Sequence, residues 1–90
     1  MPYYLISYDL RKQPNYKPLY DCFAQWKAVR LLESVWLAEL VGPAPSVRDV
    51  LKGYIDGDDG VAVIQLTPHF DWAGYAALPA GTNWLKAKSP

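Results

Sequence analysis

The chain has 90 residues, with nine basic and nine acidic side chains and a formal net charge of zero. That balance disfavours a protein that coats DNA through bulk charge. Half of the residues are hydrophobic, at 51%, which excludes a disordered tail and predicts one domain with a modest core.

The first stretch, Tyr3 to Lys12, reads YYLISYDLRK and begins as a strand. Tyr3, Leu5, Ser7 and Asp9 share one face, and Tyr4, Ile6, Tyr8 and Leu10 share the other. Both faces carry large apolar side chains, so the strand is expected inside a sheet. Asp9 falls at its end, a place where sheets commonly put their chemistry. Arg11 to Asn15 reads as a loop. Asn15 is the predicted cap of a helix over 16–27, whose first turn tolerates Pro18. Tyr16, Leu19, Tyr20, Phe23 and Trp26 follow helical spacing, and the stripe reads as core packing on the sheet. Cys22, the single cysteine, has no partner for an internal disulfide and reads as a small core residue before a nucleophile.

Ala28 to Leu40, AVRLLESVWLAEL, is a β-type run longer than a typical strand. Val29, Leu31, Val35 and Leu37 share one face with Glu33. Arg30, Leu32, Ser34, Trp36 and Leu40 share the other. A bulge or bend near Glu33–Ser34, or two strands joined tightly, resolves its length. Gly42, Pro43 and Pro45 end the run. Ser46 then reads as the N-cap of a helix over 46–55, with Asp49 completing a capping-box-like pair. Val47, Val50, Leu51 and Tyr54 form its apolar stripe, weakened slightly by Gly53. The acidic segment IDGDDG leads into a last strand, Val61 to Thr67. Asp56, Asp58 and Asp59 lack the spacing and the distant Glu of a calcium loop, so they read as a glycine-rich turn. From Pro68 the aromatic-rich tail has no clean period. A short helical turn is expected around Asp71 to Ala77, with the rest laid over the chain's own surface or a partner's. His69 has no Cys or His at metal spacing, which disfavours a zinc site.

The order β-α-β(β)-α-β predicts an α+β fold, an antiparallel sheet with two helices on one face. Residues 1–67 form the expected core and 68–90 a tail packed on the core or a partner subunit, within a single domain. Strands apolar on both sides in so short a chain call for a second copy, packed sheet to sheet about a two-fold axis. Seven Tyr and four Trp fit a chain with such an interface. No leader and no apolar run of membrane length is visible, so the expected location is the cytoplasm with no membrane contact.

Three pieces, YYLISYDLRK, AVRLLESVWLAEL and DDGVAVIQL, resemble the smaller of the two proteins of CRISPR adaptation and the related virulence-associated ribonuclease toxins. The resemblance covers roughly residues 3 to 67. It implies a ferredoxin-like βαββαβ sandwich and a homodimer joined through its sheets. In relatives with nuclease activity, the strand-end Asp of each subunit is thought to hold a divalent metal, and that role carries over to Asp9 alone. Other members hold DNA as adaptors through basic residues. The neutral charge of this chain departs from the adaptor pattern.

Asp9 is therefore the candidate catalytic and metal-binding residue. Two copies meeting across a dimer axis would share one Mg²⁺, which would activate water for phosphodiester cleavage. The alternative is a carboxylate paired with Arg11 or Lys12, or bound to a turn amide. Arg11, Lys12, Lys17 and Arg30 are candidate phosphate contacts in RNA or DNA, or cations on a solvated surface balanced by acids. Ser34 is a candidate phosphate hydrogen-bond donor, or a group that satisfies irregular backbone. Two classes of function follow: a nucleic-acid-associated homodimer with or without endoribonuclease activity, and a non-catalytic protein-interaction or regulatory dimer. In the second class the aromatic tail would engage another protein. A contiguous basic groove favours the first class, and cations dispersed among acids favour the second.

Overall fold

The computed structural model describes residues 2–11 and 16–89. Its elements are β1 (Tyr3–Asp9), α1 (Lys17–Gln25), β2 (Val29–Leu32), β3 (Val35–Glu39), α2 (Ala44–Lys52), β4 (Gly60–Leu66) and α3 (Pro79–Lys88). The strands form one antiparallel sheet in the order β2-β3-β1-β4. β1 stands inside it, as its two apolar faces predict.

The alternation of β1 sets the two layers. Tyr4, Ile6 and Tyr8 are buried against Leu19, Cys22 and Phe23 of α1 and Val47 and Leu51 of α2. Each such fully buried large side chain contributes about 1.5–3 kcal/mol relative to exposure. Among the described residues, the Tyr4 hydroxyl has no hydrogen-bond partner. It abuts Gly42, where any side chain would overlap it. The stripe of α2 is narrower than expected, because Val50 and Tyr54 remain exposed.

The 28–40 run resolves by both expected devices. Glu33 and Ser34 form a tight turn between β2 and β3, and the register shifts between Arg30 and Leu32. Leu31 is thus an extra residue on β2.

Both helix starts differ from the sequence reading. Helix α1 begins at Lys17 with Tyr16 as N-cap, and the expected cap Asn15 lies outside the described residues. Helix α2 begins at Ala44, so Ser46 and Asp49 lie inside it and no capping box forms. The proline at 45 already fits the first helical turn, which lets the helix start two residues before Ser46. The Ser46 amide instead donates to the Pro43 carbonyl at 3.0 Å.

The other sheet face is not free of helices, contrary to expectation. The tail from Asp71 to Ala77 is not helical, and the helix comes later as α3. It packs across β2 and β3. The Trp84 ring meets Tyr3 edge-on at 5.3 Å, and Lys88 Nζ donates to Glu39 Oε1 at 3.2 Å. Leu37 and Leu85 are buried, and neither belongs to the core under α1 and α2. The chain therefore covers much of this face itself. Among the described residues, no helix is long and apolar enough to cross a membrane.

The end of α1 offers a direct test of backbone conformation. The Lys27 amide donates to the Ala24 carbonyl and the Ala28 amide to the Phe23 carbonyl. These are the two bonds of a Schellman ending, with Lys27 in the position usually held by glycine. Its φ is 56°, a left-handed conformation that a side chain disfavours. Lys27→Gly is expected to stabilise the fold by about 0.5–1 kcal/mol. A chemical denaturation midpoint that falls in the variant would refute this account.

Candidate functional site

β1 delivers Asp9 to the exposed end of a central strand, opposite Gly60 of β4. Its Oδ2 accepts a hydrogen bond from Arg11 Nε at 3.0 Å, and both side chains are largely exposed. Arg11 then binds the acidic turn. Its backbone amide donates to Asp59 Oδ1 at 2.7 Å, and its Nη1 donates to the Asp58 carbonyl at 3.3 Å. The Asp56 amide donates to Asp59 Oδ2 at 2.9 Å. One carboxylate thus ties the turn to itself and to the chain leaving β1. An exposed pair such as Asp9–Arg11 contributes about 0–1 kcal/mol. Its role here is to join the strand end to the turn.

Mg²⁺ keeps near-ideal octahedral geometry and binds through carboxylates and retained waters. Asp9 offers one carboxylate, and a guanidinium already occupies it. Among the described residues, no group of three or more His, Cys, Asp or Glu side chains is disposed to hold a metal ion. The hollow beside this corner is lined by Leu10, Pro18, Tyr54, Asp56 and Asp59 and does not include Asp9.

The other expected contacts stand elsewhere. Lys17 is exposed on α1 and pairs with Asp21 one turn on, at 3.0 Å. Lys12 lies outside the described residues. Ser34 sits in the β2–β3 turn, where its carbonyl accepts the Tyr8 amide at 3.2 Å. Arg30 pairs across the sheet with Trp36, which pairs with Ile6, so it faces the α1 side.

There Arg30 enters an aromatic cluster. Its guanidinium carbon lies 5.0 Å from the Tyr20 ring centroid and 5.1 Å from that of Trp36. It also donates to the Tyr20 hydroxyl, while its Nε is buried with no hydrogen-bond partner among the described residues. Trp36 Nε1 donates to the Tyr8 hydroxyl at 3.3 Å. The single Tyr8 hydroxyl proton serves either Tyr20 at 3.3 Å or the Glu33 carbonyl at 3.2 Å. Burial opposes the charge on Arg30, but the hydroxyls of Tyr8 and Tyr20 outweigh it and raise its pKa. The guanidinium stays charged and is held by rings, not offered to a phosphate. From the sequence, Tyr20 reads as plain core, and Trp36 is placed only on a strand face. The strand alternation had already put Arg30 and Trp36 on one face; the missing link was the approach of Tyr20 from α1.

Burial pushes the Tyr20 phenol from its ordinary value of 10.0 up to about 12, with Tyr8 adding to the shift and Arg30 opposing it. The folded state therefore holds this proton after the unfolded chain has released it. Its contribution is complete below pH ~10 and is lost as pH rises toward ~12. Tyr20→Phe is expected to flatten that alkaline decline in stability. Urea midpoints measured across the window check it, and an unchanged slope would sink the assignment. Burial likewise raises the Cys22 thiol. A protonated, buried thiol is a poor nucleophile, as its core position suggests.

Comparison with known family models, with curated proteins and with solved structures finds no match for this chain. The class defined by the geometry of the described residues is an α+β protein with a four-stranded antiparallel sheet and three helices.

Proposed function

We propose that this chain is a ferredoxin-like interaction module that acts as a homodimer, akin in fold to the smaller CRISPR adaptation proteins, and carries out no nuclease chemistry. The βαββαβ order and the inner position of β1 and β3 support the ferredoxin-like reading. One observation carries the functional choice. The described cations of the expected nucleic-acid surface are engaged within their own chain: Arg11 with Asp9 and the turn, Lys17 with Asp21, and Arg30 with Tyr20 and Trp36. Arg11 and Lys17 each stand beside a carboxylate that repels an approaching phosphate, and Arg30 is held against aromatic rings.

Fluorescence anisotropy with labelled single-stranded RNA and duplex DNA tests the choice. The expected result is no saturable binding at tens of micromolar protein in low salt, and no cleavage with Mg²⁺ or Mn²⁺. Tight binding that falls steeply with salt would overturn it. A second reading, a nuclease dimer sharing metal between two copies of Asp9, is favoured by the exposure of that carboxylate at a central strand end. On that reading cleavage appears with metal and collapses in Asp9→Asn. Tyr75, 94% exposed on the C-terminal segment, is where a different protein would engage the tail.

A further inference from the structure

The two edges of the sheet are treated differently. Along β2, the Leu78 amide donates to the Leu31 carbonyl at 2.9 Å, and Gly81 packs on the Leu31 backbone. That edge is covered by the chain's own tail. β4 is the other edge, and among the described residues no strand pairs with its outer side. Its sequence GVAVIQL has no charge and no proline, the usual devices that protect an exposed edge.

The direction of each peptide group along β4 follows from the ladder. The Tyr8 amide donates toward β3, to Ser34, and the Pro2 carbonyl accepts from Leu40. Even-numbered residues of β1 thus point their backbone groups at β3, and odd-numbered ones point at β4. The partners of the odd residues are Gly60, Ala62, Ile64 and Leu66. Val61, Val63 and Gln65 therefore direct their N–H and C=O groups outward.

We infer that the outer edge of β4 pairs antiparallel with the β4 of a second copy, about a two-fold axis at Val63. This rests on the reading of the chain as a self-associating module and names its surface. In this register Val63 exchanges hydrogen bonds with its own copy, and Val61 does so with Gln65 of the second copy. Ala62 stands opposite Ile64 of the second copy, a small side chain against a large one. Ile64 is 55% exposed in the single chain, and the pairing shields it. An identical strand fits because this one is uncharged along its length, and Arg48, the cation beside Val61 and Val63, is paired with Asp49, so like charges do little to oppose the approach. The two sheets become one, and each loses its open edge.

The test uses the whole chain. Light scattering at tens of micromolar should give twice the 10.1 kDa of one chain. Amide exchange followed residue by residue should slow at Val61, Val63 and Gln65 by more than about tenfold between dilute and concentrated protein. Ala62, Ile64 and Leu66 should be protected at both concentrations. Val63→Pro removes an outward N–H and no bond to β1, a substitution edge strands tolerate. It should stay folded by circular dichroism and become monomeric. A wild-type dimer whose three outward amides exchange equally at both concentrations, or a folded Val63→Pro that stays dimeric, overturns the β4 pairing but leaves self-association standing. A monomer at every concentration, including one that pairs only with a different protein's strand, overturns both. If Val63→Pro does not fold, the wild-type exchange pattern alone decides.

Discussion

Phe23→Ala is expected to lower the folding free energy by about 3–5 kcal/mol, the range for deleting a buried aromatic ring. Phe23 is fully buried. Its ring stacks on Trp36 with centroids 4.7 Å apart, and lies 6.1 Å from Tyr8 and 6.3 Å from Trp26. Removing it strips contacts from three aromatic neighbours and leaves a cavity beside the Arg30 cluster. A domain of this size has only about 5–15 kcal/mol in total, so this one change removes a large share of it. Tyr75→Ala supplies the contrast. That side chain is 94% exposed, and its loss should stay within about 0.5 kcal/mol. Urea denaturation of both variants gives the comparison. A Phe23→Ala cost below about 1 kcal/mol would show that α1 is not anchored through this ring.

The elements that the sequence reveals are those whose local pattern and tertiary role agree. β1 alternates two apolar sets, and the structure places it inside the sheet with Tyr4, Ile6 and Tyr8 buried on one side. Leu19, Cys22 and Phe23 repeat at helical spacing and are the buried face of α1. The excess length of the 28–40 run predicts an interruption, and the hairpin at Glu33–Ser34 provides it. Helix α3 hides because Gly81, Thr82 and Asn83 are weak helix formers, and its buried positions include a glycine, which no hydrophobicity pattern detects. The helix exists because the sheet offers Leu31 and Tyr3 to pack on, a tertiary fact.

The candidate site was legible as a set of residues but not as an arrangement. Asp9 and Arg11 are close in sequence, and their pairing was one of two readings. Arg30 illustrates the harder case. Its charge suggests a phosphate contact, yet pairing with Trp36 across the hairpin and the approach of Tyr20 place it against two rings. A cation held against one ring from α1 and one from β3 serves to orient α1 on the sheet. The same holds for the other cations expected to form one groove: Arg11 is tied to Asp9 and the acidic turn, and Lys17 to Asp21.

Gly81→Ala should destabilise the fold although local propensity favours it. In a helix, Ala is better than Gly by about 0.8–1 kcal/mol, so on an open surface the change would stabilise. Here a Cβ at 81 would lie 2.5 Å from the Leu31 Cα and 2.8 Å from the Arg30 carbonyl oxygen. These are backbone atoms of an edge strand, and they cannot rotate away. Either α3 lifts from β2 or the irregular segment around Leu31 shifts, and overpacking of this kind costs about 1–3 kcal/mol. Lifting α3 also loosens the Leu78–Leu31 hydrogen bond and uncovers Leu37 and Leu85. Amide exchange should quicken in residues 78–89 before it quickens in β1. Gly53→Ala is the control. A Cβ there would meet only the Val50 carbonyl, at 3.3 Å, and the expected change is small. Adding Leu31→Ala to Gly81→Ala should not restore stability, because the closest contact is with the Leu31 main chain. A double variant as stable as wild type, or a Gly81→Ala protein more stable than wild type, would mean that α3 does not dock on β2 through this glycine.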